Sequence, residues 1–200
     1  MPRHKSTVTI GSGVWRGRVL RYPEGPGVRP SMQRTRHSLF SSLGASLDDA
    51  VFADLFAGGG AVGIEALSRG AGRAYFVEHR ADALAALRAN LAACGAGPAR
   101  ASVHAGTVAS VLDARPNPIA DATIVFADPE YDVDPNAELL RHFRASDFVQ
   151  LAWLVVEHRT RVELTPPDGL AVVRSRRFGE TVLTYLTPAE ARGPFEGGWS

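Results

Sequence analysis

From Val51 to His158 the chain alternates short apolar runs with helix-forming segments, and this alternation leaves few folds open. "VFADLFA" reads as a buried strand and "AVGIEALSRG" as a helix closed by Gly70. "RAYFVEH" is a strand, and "ADALAALRANLAACG" is an alanine- and leucine-rich helix closed by Gly95. "ASVHA" is a weak strand, "TVASVLDA" a short helix, "ATIVFAD" a strong strand, "NAELLRHFR" a helix and "AWLVVEH" a strand. Strand, helix, strand, repeated, builds a mostly parallel sheet with helices on both faces. Two more strands, "GLAVVRSRRFG" and "ETVLTYL", meet at Gly179 and form an antiparallel pair. Upstream, "STVTIGSGVWRGRVLRYP" carries two β-branched runs around Gly11, Ser12 and Gly13, which predicts a hairpin with Trp15 near its turn. After a Pro/Gly loop, Pro30-Ser31 opens a helix with Ser31 as its N-cap and Met32, Leu39, Phe40 and Leu43 as its apolar face. The tail "PAEARGPFEGGWS" is polar, rich in Gly and Pro, and expected to be loose.

The loop "DLFAGGGAVGIEAL" follows the first sheet strand and opens a helix. Gly58, Gly60 and Gly63 match G-x-G-x-x-G, and Glu78 follows about 20 residues on, as a nucleotide-binding fingerprint requires. Glycine here lets the backbone turn tightly and lets a ligand touch it. Glu78, at the end of the second strand, can accept hydrogen bonds from both ribose hydroxyls. Asp54 precedes the glycines inside the strand. A carboxylate there opposes a pyrophosphate and suits a cation, such as the amino group of S-adenosylmethionine, which favours a methyltransferase over a dehydrogenase.

Composition narrows the function further. An apolar content of 45% and a charged content of 22% over 200 residues suit one ordinary globular domain. No long uncharged apolar segment predicts a membrane span, and "MPRHKSTVTI" is not a secretory leader. The single cysteine, Cys94, fits a reducing, cytoplasmic compartment. The net charge of +1 is unevenly spread: residues 1–40 hold eight basic residues against Glu24 alone, a net of +7, while the remainder holds 14 basic and 20 acidic residues, a net of −6. Such an end suits docking on a polyanion, although an arginine-rich solvated tail has the same composition.

The stretch "VFADPEYDVD" places Asp128 at the end of a strand, on the rim where open α/β sheets bind ligands. The Asp128 carboxylate and the Pro129 carbonyl are two acceptors that can hold both hydrogens of a planar amine. Proline keeps Asp128 extended, and a flat base can lie against Tyr131. Asp128, Glu130, Asp132 and Asp134 alternate, but they lack the glycine and the terminal glutamate of an EF-hand, so no metal is expected.

The segments "GVWRGRVL", "GPGVRPSMQRTRHSLFSSL", "ADLFAGGGAVGIEALSRGA" and "ADPEY", in this order and spacing, resemble the RsmD-like small-subunit ribosomal RNA methyltransferases across most of residues 8–186. The resemblance implies a Rossmann-like class I methyltransferase fold, with a mostly parallel seven-stranded sheet, an antiparallel C-terminal strand pair and a small N-terminal β-hairpin arm. It divides the chain into a basic arm and loop over 1–30, an S-adenosylmethionine-dependent domain over 31–187 and a tail over 188–200. It implies methyl transfer from S-adenosylmethionine to the exocyclic N2 amine of a guanine in 16S ribosomal RNA, by a cytoplasmic monomer acting on RNA or an assembling small subunit. Carried over residue by residue, it assigns Asp128, Pro129 and Tyr131 to catalysis. Cofactor binding falls to Asp54, Phe56, Gly58, Gly60, Glu78, Thr107 and Asp128, and RNA binding to Arg16, Arg18, Arg29, Arg34 and Arg36. Three departures stand out: Glu130 replaces the second proline of D-P-P-Y, Gln33 and His37 replace acids, and Thr107 stands where an acid or amide often contacts the adenine. Two other classes share parts of the pattern, a nicotinamide-dependent oxidoreductase and an RNA-binding relative without turnover, the latter on the strength of Glu130. Arg174, Arg176 and Arg177 either extend the basic face or are simply solvated, and His104, His142 and His158 show no ligand spacing.

Overall fold

The computed structural model describes residues 7–22, 30–130 and 133–191. Strands β3 (Val51–Leu55), β4 (Arg73–Glu78), β5 (Ala101–Ala105), β6 (Ile124–Ala127), β7 (Trp153–Arg159), β8 (Leu170–Phe178) and β9 (Thr181–Pro188) form one sheet in the order β5-β4-β3-β6-β7-β9-β8. The first five are parallel, and β9 runs antiparallel to both β7 and β8. Helices α2 (Ala61–Ser68) and α3 (Ala81–Cys94) cover one face. Helix α4 (Val108–Leu112) and a single turn at Asn136–Leu140 cover the other. Because both faces are covered, the central strands are mostly apolar rather than alternating with polar residues, with Asp54 in β3 a buried exception. Neighbouring residues enter opposite cores: Phe52, Phe76 and Val155 one way, Ala53, Val77 and Val156 the other.

The predicted hairpin is present as β1 (Thr7–Thr9) paired with β2 (Val19–Arg21). It rests on the sheet's helical layer and buries Val8, Ile10 and Leu20 in the same apolar cluster as Phe40 and Ile64. Trp15 packs against that cluster, half-buried, with the Arg100 guanidinium 5.6 Å from its ring centre. Helix α1 (Pro30–Leu43) lies beside β8 and β9 with Leu39, Phe40 and Leu43 buried. Two expectations need correction. Ser31 is not the N-cap, since the helix already includes Pro30: proline's fixed φ and missing N–H suit the first helical position. The helix expected over 136–144 is only the turn Asn136–Leu140.

Candidate active site

The order of the strands reverses between β4 and β6 on either side of β3, and at such a switch point the loops leaving neighbouring strands diverge and open a crevice. Three strands deliver carboxylates to it: Asp54 from within β3, Glu78 from the end of β4 and Asp128 just past β6. The chain leaves β3 through Phe56, at a φ of 65°, a region that costs a bulky residue on the order of 1 kcal/mol. Gly58 and Gly60 follow at φ 54° and 81°, where glycine pays no such cost.

The glycines divide by role. A Cβ on Gly60 would lie 2.4 Å from Leu87 Cδ1, and one on Gly63 2.4 Å from Phe76 Cε1. Gly60 is therefore fixed by packing against α3 and Gly63 by packing against β4. A Cβ on Gly58 would instead meet the Tyr22 hydroxyl at 3.2 Å, so this glycine faces the Tyr22 ring, which lines the pocket.

The carboxylates hold the loop together. Gly58 N–H donates to Glu78 Oε2 at 2.8 Å, and the N–H groups of His79 and Arg80 donate to Oε1 at 2.7 and 2.8 Å. Gly63 N–H donates to Asp54 Oδ2 at 2.8 Å. Burial pushes the Asp54 carboxyl up to about 7; the Gly63 hydrogen bond opposes this, and the negative charges of Asp128 and Glu78 add to it. The pocket is lined by Tyr22, Thr35, Arg36, Asp54, Phe56 and Asp128, among others. Arg36, the one guanidinium among its described lining residues, is committed elsewhere: Nε pairs with Glu65 at 2.9 Å and NH2 donates to the Thr9 carbonyl at 2.8 Å. This donor set suits cations and hydroxyls and would repel a pyrophosphate, so it fits S-adenosylmethionine, which carries a sulfonium, an ammonium and a ribose.

Pro129 is buried and Asp128 half-buried at the rim. Glu130 turns outward, its side chain 64% exposed and 3.6 Å from Arg80 NH1, so its charge does not enter the pocket. Thr107 stands just beyond β5 but uses its hydroxyl to cap α4, accepting from Ser110 N–H at 3.1 Å. Arg16 and Arg34 are exposed, and Arg18 donates to the Ala93 carbonyl. Arg36 does not present its charge to solvent: only 10% of its side chain is exposed, against 2% for its partner Glu65. It ties α1 to α2. Arg29 and Tyr131 lie outside the described residues. Among the described residues, no group of three or more His, Cys, Asp or Glu could hold a metal ion, and no helix is long and apolar enough to cross a membrane.

Sequence reasoning missed Tyr22, Glu65 and Asn90. Glu65 and Asn90 are polar residues on the buried faces of α2 and α3, an anomaly within an apolar stripe that asks for a partner. Tyr22 carried no signal of its own.

The strand order, the antiparallel β9 inserted before the edge, and a switch-point crevice lined with carboxylates define a Rossmann-like, S-adenosylmethionine-dependent methyltransferase. SMU.776, solved in complex with SAH, shares this fold at a TM-score of 0.69 and 11% identity, over 94% of this chain and 56% of that one. The family model described as Conserved hypothetical protein 95 matches residues 8–187, and the chain belongs to that family. Ribosomal RNA small subunit methyltransferase D of Escherichia coli (strain K12) is 40% identical over 174 residues, which is 86% of this chain and 83% of that protein. The solved structure of Escherichia coli yhhF superposes at a TM-score of 0.78 with 31% identity, covering 92% of this chain and 98% of that one.

Proposed function

We propose that this chain transfers the methyl group of S-adenosylmethionine to the exocyclic N2 amine of a guanine in small-subunit ribosomal RNA. One observation carries the reading: Asp128, leaving β6, lines the same pocket as Asp54, Phe56 and Ala57 at the start of the glycine loop, beside the switch point. Bound there, the cofactor supplies an electrophilic methyl on a sulfonium. The chain's own residues do the rest. Glu78 Oε2 already accepts from Gly58 and has room for a ribose hydroxyl. Asp54 and Asp128 provide negative charge for the cofactor's cationic end. The target base leaves its stack to reach the crevice, as enzymes acting on bases require. Asp128 and the Pro129 carbonyl then accept the two amine hydrogens and turn the nitrogen toward the methyl. A guanine amine is a weak nucleophile, so positioning and acceptance of the developing positive charge do most of the catalysis.

Residues 31–187 form the catalytic domain in this reading and residues 1–30 the docking arm of a cytoplasmic monomer, with ribosomal RNA, free or in an assembling subunit, as partner. The test is a methyl-transfer assay with radiolabelled S-adenosylmethionine on small ribosomal subunits and on protein-free RNA. Asp128→Ala should abolish transfer, because it removes a contact with the amine, and should weaken cofactor binding less than Glu78→Ala does. Glu78→Ala should weaken cofactor binding itself. A wild-type protein inert on both substrates would sink the reading.

A further inference from the structure

We propose that Tyr22 is a cofactor-binding wall of the pocket, so that the N-terminal hairpin supplies part of the cofactor site as well as a docking surface. The proposal rests on the reading of S-adenosylmethionine as the cofactor. Tyr22 directly follows β2 and lines the same pocket as Asp54, Phe56 and Asp128. Its ring lies across the outer side of the glycine loop. A Cβ built on Gly58 would stand 3.2 Å from its hydroxyl, and one on Gly59 3.2 Å from its Cδ2. A ligand approaching the Gly58 backbone must therefore pass along this ring.

The placement is built, not incidental. The buried side chain of Asn90, on α3, accepts from Arg21 N–H at 2.9 Å and donates to the carbonyls of Arg21 and Gly59, both at 2.8 Å. One amide thus fastens the residue before Tyr22 to the middle of the glycine loop. The hairpin has other anchors. Val8, Ile10 and Leu20 are buried, Glu65 Oε2 accepts from Gly11 N–H at 3.2 Å, and Ser68 Oγ accepts from Trp15 N–H at 2.9 Å. Holding the arm in place does not need a tyrosine at position 22.

The chemistry of the ring matches the cofactor. Burial and the charges of Asp128, Asp54 and Glu78 push the Tyr22 phenol up to about 12, so it stays neutral. A neutral aromatic ring in a pocket with surplus negative charge attracts a cation to its face and an apolar methylene to its edge. The sulfonium of S-adenosylmethionine offers both. Its demethylated product, S-adenosylhomocysteine, offers only the second. Tyr22 then binds both molecules and favours the charged one.

Isothermal titration of the full chain with S-adenosylmethionine and with S-adenosylhomocysteine tests this, comparing wild type with Tyr22→Phe, Tyr22→Leu and Tyr22→Ala, and recording each ligand-free melting temperature. Tyr22→Phe keeps the ring and should stay within about threefold of wild type for both ligands. Tyr22→Leu keeps the apolar packing of the arm. Like Tyr22→Ala, it should weaken S-adenosylmethionine by about tenfold and S-adenosylhomocysteine by less. Affinities unchanged in Tyr22→Leu would overturn the proposal while leaving the cofactor reading intact. So would tighter binding, which would mean that the ring occupies the ligand's own place. A wild-type protein that gives no heat with either ligand would overturn both.

Discussion

Asp54 is buried with one backbone donor, and its carboxyl titrates near 7 rather than at its usual 3.8. Its folded value lies above its unfolded one, so the neutral form is the one that folding favours. The contribution to stability is full below the unfolded value and is lost as pH rises through about 7. At pH 8 the ionised group therefore costs a few kcal/mol that a neutral isostere would not. Asp54→Asn keeps an oxygen for Gly63 N–H. It should melt several degrees above wild type at pH 8, with the gap closing toward pH 5, and should bind S-adenosylmethionine more weakly. Thermal melts across that range, paired with titrations, check both halves; a gap that does not change with pH would show that Asp54 is not the titrating group. Glu130 is the opposite case, a carboxylate that broke a motif without entering the site. With its side chain at the surface beside Arg80, Glu130→Pro should change turnover by less than roughly tenfold, about 1.4 kcal/mol. A variant that gained activity by far more would show that the acid hinders the loop.

At the scale of elements, the hairpin is held less by its own ladder than by side chains from the body. Its strands pair over three residues each, and Glu65, Ser68 and Asn90 supply further anchors. Asn90→Ala would strip partners from three backbone groups at once and should cost about 2–4 kcal/mol. Hydrogen exchange should show protection lost in β1, β2 and the glycine loop together; loss confined to α3 would mean that the clamp is not shared. These same contacts explain what the sequence could and could not reveal. The sheet was legible because its central strands are dominated by apolar runs and glycines close α2 and α3. The fingerprint was legible because Gly58, Gly60, Gly63 and Glu78 are local in sequence, although packing, not ligand contact, accounts for two of its glycines. Asn90 and Glu65 reach the backbone of the arm and the glycine loop across separations of 31 to 69 residues, and no spacing rule encodes those meetings. Arg36 belongs with them: among eight basic residues of a charged end it looks like its neighbours, and only the fold shows its acid partner.

Across the whole molecule, positive charge gathers at the N-terminal end and negative charge at the crevice. In the proposed reading, a phosphate backbone is drawn to the arm and α1 and repelled from the carboxylates, leaving a base, which carries no charge, as the part of RNA suited to the crevice. Arg174, Arg176 and Arg177 on the edge strand β8 adjoin this surface, with Arg176 reaching Ser38 of α1 at 3.3 Å. Charge on an edge strand also discourages pairing with other chains, so these three arginines need no RNA to justify them. The arginines of the arm can be separated by burial. Replacing Arg16, Arg18 and Arg34 with Gln should flatten the dependence of RNA affinity on salt, since each phosphate contact contributes roughly 0.7 to 0.9 to the logarithmic slope. Arg36→Gln should leave that slope unchanged, because its guanidinium faces Glu65 and Thr9 rather than solvent. Its loss should instead lower the melting temperature by several degrees, as breaking a buried ion pair leaves a carboxylate short of a partner; Arg69, 2.6 Å from the other Glu65 oxygen, limits the damage. Filter binding at several salt concentrations, beside thermal melts of the same variants, distinguishes the two roles. If Arg36→Gln flattened the slope as much as the triple replacement does, α1 would have to move when RNA docks, releasing Arg36 from Glu65 to meet a phosphate.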